Sequence, residues 1–142
     1  MIDIKTFEEY MEQFLKGVAD TVCVDYSTPA SVKKANRGVD LYRKTAALID
    51  KHYPNRLDDF ANLMYSDLPK VRICCAVSVL ELTHYTEEQE LAALAIIKDT
   101  MKQSDAAEKL GWEIWLKNWQ SGKIKTVYGK YQLNPCIFFV GI

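Results

Sequence analysis

The sequence predicts an all-α protein built from stacked antiparallel helix pairs, on two main observations. The 72 residues from Val39 to Leu110 contain no glycine, and only Pro54 and Pro69 interrupt them. A β-sandwich or a barrel needs Gly and Pro repeatedly for its tight turns, so this absence argues against both. The predicted helices are joined by short turns, as in helix hairpins that lie side by side. We therefore expect about six helices, in pairs about 35 residues apart, a spacing within the range of helical repeats.

The first two helices flank a short loop. The first is predicted over about residues 4–19, because its apolar residues recur at helical spacing and its first turn is acidic, as the helix dipole favours. The loop contains Ser27, Thr28 and Pro29, and a long second helix follows over about residues 30–52. Pro54 must end that helix, because proline cannot continue it.

Three more helices are predicted in the middle of the chain. The third spans about residues 56–65, and the fourth opens at Pro69, where a missing N–H costs nothing, and runs to about Thr83. The fourth is almost entirely apolar, which indicates a central helix covered on both sides. Residues 86–89, Thr-Glu-Glu-Gln, have the form of a capping box and start a fifth helix that continues to about residue 102.

The last predicted helix leads into a segment of different character. Ser104 is expected to cap the sixth helix, which ends at Ser121-Gly122, where glycine can adopt the left-handed conformation. Gly129-Lys130 then suits a tight turn, which predicts a short β-hairpin or an extended tail. We expect a single domain over residues 1–142, with a helical body over 1–122 and the tail over 123–142.

Composition and charge limit the function classes. A chain of 142 residues with 49% apolar residues and a net charge of −1 is typical of a globular protein, and it excludes bulk attraction to nucleic acid. Residues 117–142 carry +4, so residues 1–116 carry −5. The longest apolar run, residues 91–97, is too short to cross a bilayer, and the acidic N-terminus does not resemble a signal peptide. We expect a cytoplasmic protein with an acidic body.

No set of residues in the sequence indicates catalysis. His52 and His84 lie at predicted helix ends without metal-ligand spacing, and the four cysteines contain no CxxC pair. Cys74 and Cys75 sit inside an apolar helix, where thiols behave as small hydrophobes. We therefore expect neither an enzyme nor a bound cofactor or metal.

Six residues are candidates for contact with a partner protein. Five are carboxylates near the starts of predicted helices, where the helix dipole and solvation favour them and where they also suit a basic partner. The sixth belongs to a tryptophan stripe at spacings of three and four, and Trp is a common interface anchor. The candidates are Asp58, Asp59, Glu87, Glu88, Glu90 and Trp112.

The turn over residues 66–72, Ser-Asp-Leu-Pro-Lys-Val-Arg, resembles the inter-helix turn of a HEAT-type repeat. In that pattern an Asp in the turn and an Arg in the next helix form a hydrogen bond that fixes the turn. Asp67 and Arg72 occupy those places here, so the resemblance gives both a structural role. An ordinary capped helix with a surface Arg is the alternative interpretation.

The resemblance extends over about residues 30–125. Residues 35–37, Ala-Asn-Arg, with Asp40 and Leu41, the turn over 66–72, and residues 119–122, Trp-Gln-Ser-Gly, together resemble a family of small bacterial HEAT-like proteins of unassigned biochemical function. Such proteins are frequently encoded beside secreted polymorphic toxins. The resemblance implies an immunity protein, as in contact-dependent growth inhibition, that binds and neutralises a cognate toxin. A nuclease with a basic cleft is the toxin class that an acidic body suits.

Two other functions remain open from the sequence. The helical stack is also compatible with an adaptor or scaffold that binds another cellular protein. Lysines among Trp119, Tyr128 and Tyr131 also suit nucleic-acid binding through the tail, although four lysines are a small footprint. The apolar residues 136–142 need a cover, which their own domain, a second copy through self-association, or a partner can supply.

Overall fold

A computed structural model describes residues 4–22 and 24–122, and this part of the chain is all-helical, with six α-helices and no strand. The predicted fold class and helix count are confirmed. The predicted hairpin or extended tail lies outside the described residues. The helices are α1 (Phe7–Ala19), α2 (Pro29–His52), α3 (Leu57–Ala61), α4 (Pro69–Leu82), α5 (Glu87–Gln103) and α6 (Ala106–Gln120).

Helices α1 and α2 form a closely packed antiparallel pair. The end of α1 lies against the start of α2, where a Cβ on Gly17 would stand 2.8 Å from the carbonyl oxygen of Gly38. Further along, the side chain of Gln13 donates a 2.7 Å hydrogen bond to the hydroxyl of Thr45. Glycine at both positions lets the two backbones approach without a side chain between them. Helix α2 is continuous through Gly38.

The segment predicted as one helix over residues 56–65 is divided into three short elements. A 3₁₀ turn (Pro54–Arg56) precedes α3, and a second 3₁₀ turn (Asn62–Tyr65) follows it. A segment this short is below the length at which helix propensity alone maintains regular geometry. Packing against the core therefore determines its backbone geometry. The buried side chains of Leu57, Phe60 and Met64 fix these turns against the core.

Helix α4 is the central helix of the fold, as its composition predicts. From Val71 to Leu82, every residue except Arg72 is buried. Helix α2 packs against one side of it and α5 against the other. Because α4 is covered all round, its polar residues lie inside the protein and need partners there.

Capping residues explain where the helices begin and end. Helix α1 begins at Phe7, later than predicted, because the hydroxyl of Thr6 accepts a 3.1 Å hydrogen bond from the backbone N–H of Glu9 and the Glu9 carboxylate accepts one from Thr6. The same reciprocal bonds form at residues 86–89, so that predicted capping box is confirmed. The prediction for α6 is wrong by one residue, because Asp105 caps it and Ser104 ends α5. Gly122 follows α6 with φ of 76°, as predicted.

Candidate functional site

Three of the six predicted contact residues lie in one groove between the α3 region and the start of α5. The groove encloses about 520 Å³, and its lining contains acidic, amide and aromatic side chains but no basic one among the described residues. We refer to it as the acidic groove. It is lined by Asp58, Ala61, Asn62, Met64, Tyr65, Thr86, Glu87, Glu88, Gln89 and Ala92.

A single glutamine joins the two walls of the acidic groove. The Gln89 side-chain oxygen accepts the N–H of Thr86 within the capping box. Its amide nitrogen donates a 2.8 Å hydrogen bond to Oδ1 of Asp58, on the opposite wall. A residue in the first turn of α5 therefore also holds α5 against α3, and this contact fixes the positions of Glu87 and Glu88 relative to Asp58.

The acidic groove has an uncompensated negative charge. Glu87 and Glu88 are exposed, and neither forms an ion pair within the described part of the chain. Asp58 is also exposed, and its one described hydrogen bond comes from a neutral amide. Neighbouring carboxylates without cations create a field that attracts a basic ligand.

Asp59 lies outside this groove, although it is adjacent to Asp58 in sequence. It accepts a 2.7 Å hydrogen bond from Nε of Arg56, and this bond raises the pKa of the Arg56 guanidinium above its ordinary value. The same guanidinium lies 4.0 Å from the ring centre of Phe7 and 3.6 Å from a carboxylate oxygen of Glu8. Asp59 is therefore part of a surface cluster that attaches the α3 region to α1.

Glu90 and Trp112 also lie away from the acidic groove. Glu90 is half-buried near Tyr85, whose pKa is raised first by burial and second by the Glu90 charge. Trp112 is only 4% exposed, and it lines a different groove at the start of α6. Its ring packs edge-on against the buried Trp115, 6.4 Å between centroids, and Trp119 stacks on Trp115 with 6.3 Å between centroids.

The turn over residues 66–72 is held differently from the HEAT-type expectation. The Arg72 guanidinium donates a 2.7 Å hydrogen bond to the backbone carbonyl of Ser66, and the Ser66 hydroxyl accepts the N–H of Leu68. The side chain of Asp67 is exposed and does not bond Arg72. Arg72 helps to fix the turn, as predicted, but its partner is the backbone carbonyl of Ser66 and not Asp67.

A buried polar cluster formed by Arg43, Glu81 and Trp115 was not predicted from the sequence. One carboxylate oxygen of Glu81 accepts from Arg43 at 3.2 Å, and the other accepts from the indole N–H of Trp115 at 3.1 Å. Glu81 and Trp115 are fully buried, and Arg43 is nearly so. The cluster therefore joins α2, α4 and α6 through one carboxylate. The signal for this cluster in the sequence is a glutamate within the apolar stretch of α4. This signal does not identify the residues that contact the glutamate.

The described cysteines and His84 have surroundings that are typical of structural residues. Cys74 and Cys75 are buried, and burial strongly raises the pKa of the Cys75 thiol, which donates to the carbonyl of Phe60. Asp50 is buried and accepts two 2.8 Å hydrogen bonds from His84, one from the backbone N–H and one from ring Nδ1. Within residues 4–22 and 24–122, no three His, Cys, Asp or Glu side chains converge as a metal site.

Replacing His84 with alanine is expected to lower the free energy of unfolding by about 1.5 kcal/mol. The substitution removes the ring N–H that donates to the buried Asp50 carboxylate. A hydrogen bond to a charged acceptor has a range of contributions to stability, and the low end applies here because 74% of the His84 side chain is exposed. His52→Ala is the matched control, since His52 forms no described side-chain hydrogen bond. Equal losses in urea unfolding for the two variants would contradict the stabilising role of the Asp50–His84 contact.

Comparison with protein-family models, with curated proteins and with solved structures finds no match to this chain. No helix in the described part of the protein is both long and apolar enough to cross a bilayer.

Proposed function

We propose that this protein is a non-enzymatic binding domain whose acidic groove receives a basic surface of another protein. The observation that carries the proposal is the convergence of Asp58, Glu87 and Glu88 from two helices onto one groove, with no cation among the lining residues that the structure describes. Opposite charge at an interface accelerates association and disfavours wrong partners. Tyr65, which is 72% exposed at the same groove, adds an aromatic surface of the kind that is enriched at interfaces.

The specific partner that we propose is a cognate toxin, which makes the protein an immunity protein. The HEAT-like sequence resemblance supports this assignment, and so does the −5 charge of residues 1–116. A toxin that acts on nucleic acid needs a basic cleft, and an acidic groove that covers the cleft would block access to the substrate. An adaptor for another cellular protein uses the same surface without neutralising a toxin.

Co-expression tests the proposal directly. The protein is expressed with the C-terminal domain of a large secreted protein encoded beside it, and cell survival and co-purification are scored together. Survival with a stoichiometric complex supports immunity. A complex without protection supports the adaptor function, and death without a complex contradicts the toxin partner.

Reversing charge in the acidic groove is expected to weaken the complex at least about tenfold. The variant Glu87→Lys/Glu88→Lys places like charges against a basic partner, which costs enough to change affinity on this scale. The control Glu12→Lys/Glu113→Lys makes the same change in net charge at two exposed glutamates outside the groove. Affinities are compared by calorimetry, with circular dichroism to verify folding. Equal weakening by both double variants would show that the acidic groove is not part of the interface.

A further inference from the structure

A second groove lies where the start of α4, the end of α5 and the start of α6 meet. It encloses about 650 Å³, within the usual range for a small-molecule site. It shares no lining residue with the acidic groove, so the two grooves are separate surfaces of the described protein. We refer to it as the Trp112 groove.

Buried and half-buried apolar side chains form one part of the lining. Ile73 and Trp112 are buried, Ile96 is half-buried, and the ring of Trp112 is held edge-on against Trp115. The more exposed ring of Tyr26 lines the same groove. Apolar and aromatic side chains form most of the lining of small-molecule sites. Because packing already holds Ile73 and Trp112 in place, a ligand meets a preformed apolar surface.

Both signs of charge line the Trp112 groove. Helix α4 contributes the cations Lys70 and Arg72, α5 contributes Asp99, and α6 contributes Glu108. Neither carboxylate forms an ion pair within residues 4–22 and 24–122, and the one described hydrogen bond to Asp99 comes from the neutral amide of Gln103. Carboxylates that share a groove with cations but do not pair with them leave room for a ligand that carries both charges.

The start of α4 is the positive side of this groove. Lys70 and Arg72 lie in the first turn of α4, where the helix dipole is also positive, and that turn contains no acidic residue. The Arg72 guanidinium uses Nη1 to bind the carbonyl of Ser66, and its other nitrogens have no acceptor among the described residues. We therefore expect an anionic group of a ligand at the start of α4, and a cationic group beside Asp99 and Glu108.

We propose that the Trp112 groove binds a small zwitterion with an apolar body, of the size of an aromatic amino acid. Its anionic group lies against Lys70 and Arg72, its ammonium group lies against Asp99 or Glu108, and its apolar body covers the buried lining. The two cations and two carboxylates of the lining sum to zero charge, so a ligand with a large net charge of either sign is disfavoured. This site is independent of the basic partner proposed for the acidic groove.

Three aromatic molecules of similar size but different charge test the proposal. L-phenylalanine is the zwitterion, hydrocinnamate lacks the ammonium group, and phenethylamine lacks the carboxylate. Each is titrated into the full-length protein, and the backbone amide signals of residues 70–73 and 95–100 are followed in proton–nitrogen correlation spectra. We expect L-phenylalanine to shift these signals with a roughly millimolar dissociation constant. The two singly charged analogues should bind at least about tenfold more weakly, because each lacks one charge-assisted contact.

A carboxylate variant tests the role of the negative side chains. Asp99→Asn/Glu108→Gln is expected to weaken L-phenylalanine about tenfold or more, while hydrocinnamate binds no more weakly than to the original protein. The control Asp40→Asn/Glu113→Gln makes the same change in charge at exposed positions outside the groove. A loss of affinity for L-phenylalanine alone distinguishes contact with the ammonium group from a change in the shape of the groove.

A second pair of variants locates the binding site. Ala95→Arg places a long side chain in the Trp112 groove from an exposed position and is expected to abolish binding. Leu91→Arg introduces the same side chain one turn earlier on α5, outside the groove, and should leave the affinity unchanged. Circular dichroism verifies that all variants fold.

Three results would overturn the proposal. Unshifted signals of residues 70–73 and 95–100 with L-phenylalanine would show that the groove does not bind this class of molecule. Equal affinities for the three molecules would show that the charges of the lining do not select a zwitterion. Equal effects of the carboxylate variant and its control would show that Asp99 and Glu108 do not contact the ammonium group.

Discussion

Replacing Glu81 with alanine is expected to lower the free energy of unfolding by about 3–5 kcal/mol, the range for removing one partner of a buried charge pair. The Glu81 carboxylate accepts hydrogen bonds from Arg43 and Trp115, which belong to α2 and α6. Alanine removes the oxygens that accept from Arg43 and Trp115, in an interior where water cannot replace them. Urea unfolding followed by circular dichroism measures the loss.

Two further variants separate the charge from the packing. Glu81→Gln keeps the side-chain size and one acceptor oxygen, so we expect a smaller loss than for alanine. The double variant Arg43→Met/Glu81→Leu removes both charges together, and we expect it to be more stable than Glu81→Leu alone. The exposed Glu113→Ala is the control, with an expected change within about 0.5 kcal/mol. A Glu81→Ala protein as stable as the control would show that the cluster is energetically neutral.

Local chemistry explains which parts of the fold could be predicted from the sequence. The capping box at Thr86, the proline at the start of α4 and the glycine after α6 each act within a few residues, so their signals can be read directly. The start of α1 has a local signal of the same kind, because Thr6 and Glu9 form a capping box whose residue types can be read from the sequence. Helix count and order depend on such signals, and they were predicted correctly.

Contacts between distant residues could not be predicted in the same way. Glu81 and Trp115 are 34 residues apart, and Gln89 and Asp58 are 31 apart. A single sequence identifies Glu81 as a polar residue on an apolar helix but does not identify what faces it. The same limit applies to the candidate site. The sequence shows that the carboxylates lie in the first turns of helices, but it does not show which of them face the acidic groove. Helix packing brings Asp58 to the groove, whereas Asp59 pairs with Arg56, three residues earlier in the chain.

The acidic groove depends on how firmly α3 and α5 are held by the rest of the protein. The Asp50–His84 contact attaches the loop before α5 to α2, and the capping box at Thr86 follows two residues later. Arg56 attaches the other wall to α1 through Phe7 and Glu8. The groove is therefore supported from both sides by contacts outside it. A rigid charged surface loses less entropy on binding than one that must first become ordered.

The close contact of α1 and α2 leads to the second large expected effect. Gly17→Ala is expected to lower the free energy of unfolding by about 1–3 kcal/mol, the usual cost of overpacking. At an open helix position the same change would add about 1 kcal/mol of stability through helix propensity. Here the new Cβ would lie 2.8 Å from both the Gly38 carbonyl oxygen and the backbone nitrogen of Tyr42, so two helix backbones must separate.

A double-mutant cycle distinguishes this helix contact from a general loss of backbone freedom. Gly38→Ala places a Cβ 2.6 Å from the Gly17 carbonyl oxygen, so both substitutions force apart the same pair of helices. Once one alanine has separated them, the second has less contact left to disrupt, and the double variant should lose less than the sum of the single losses. Urea unfolding of the three variants gives the coupling energy. Strict additivity, or a gain in stability from either alanine, would show that the helices accommodate a methyl group without moving.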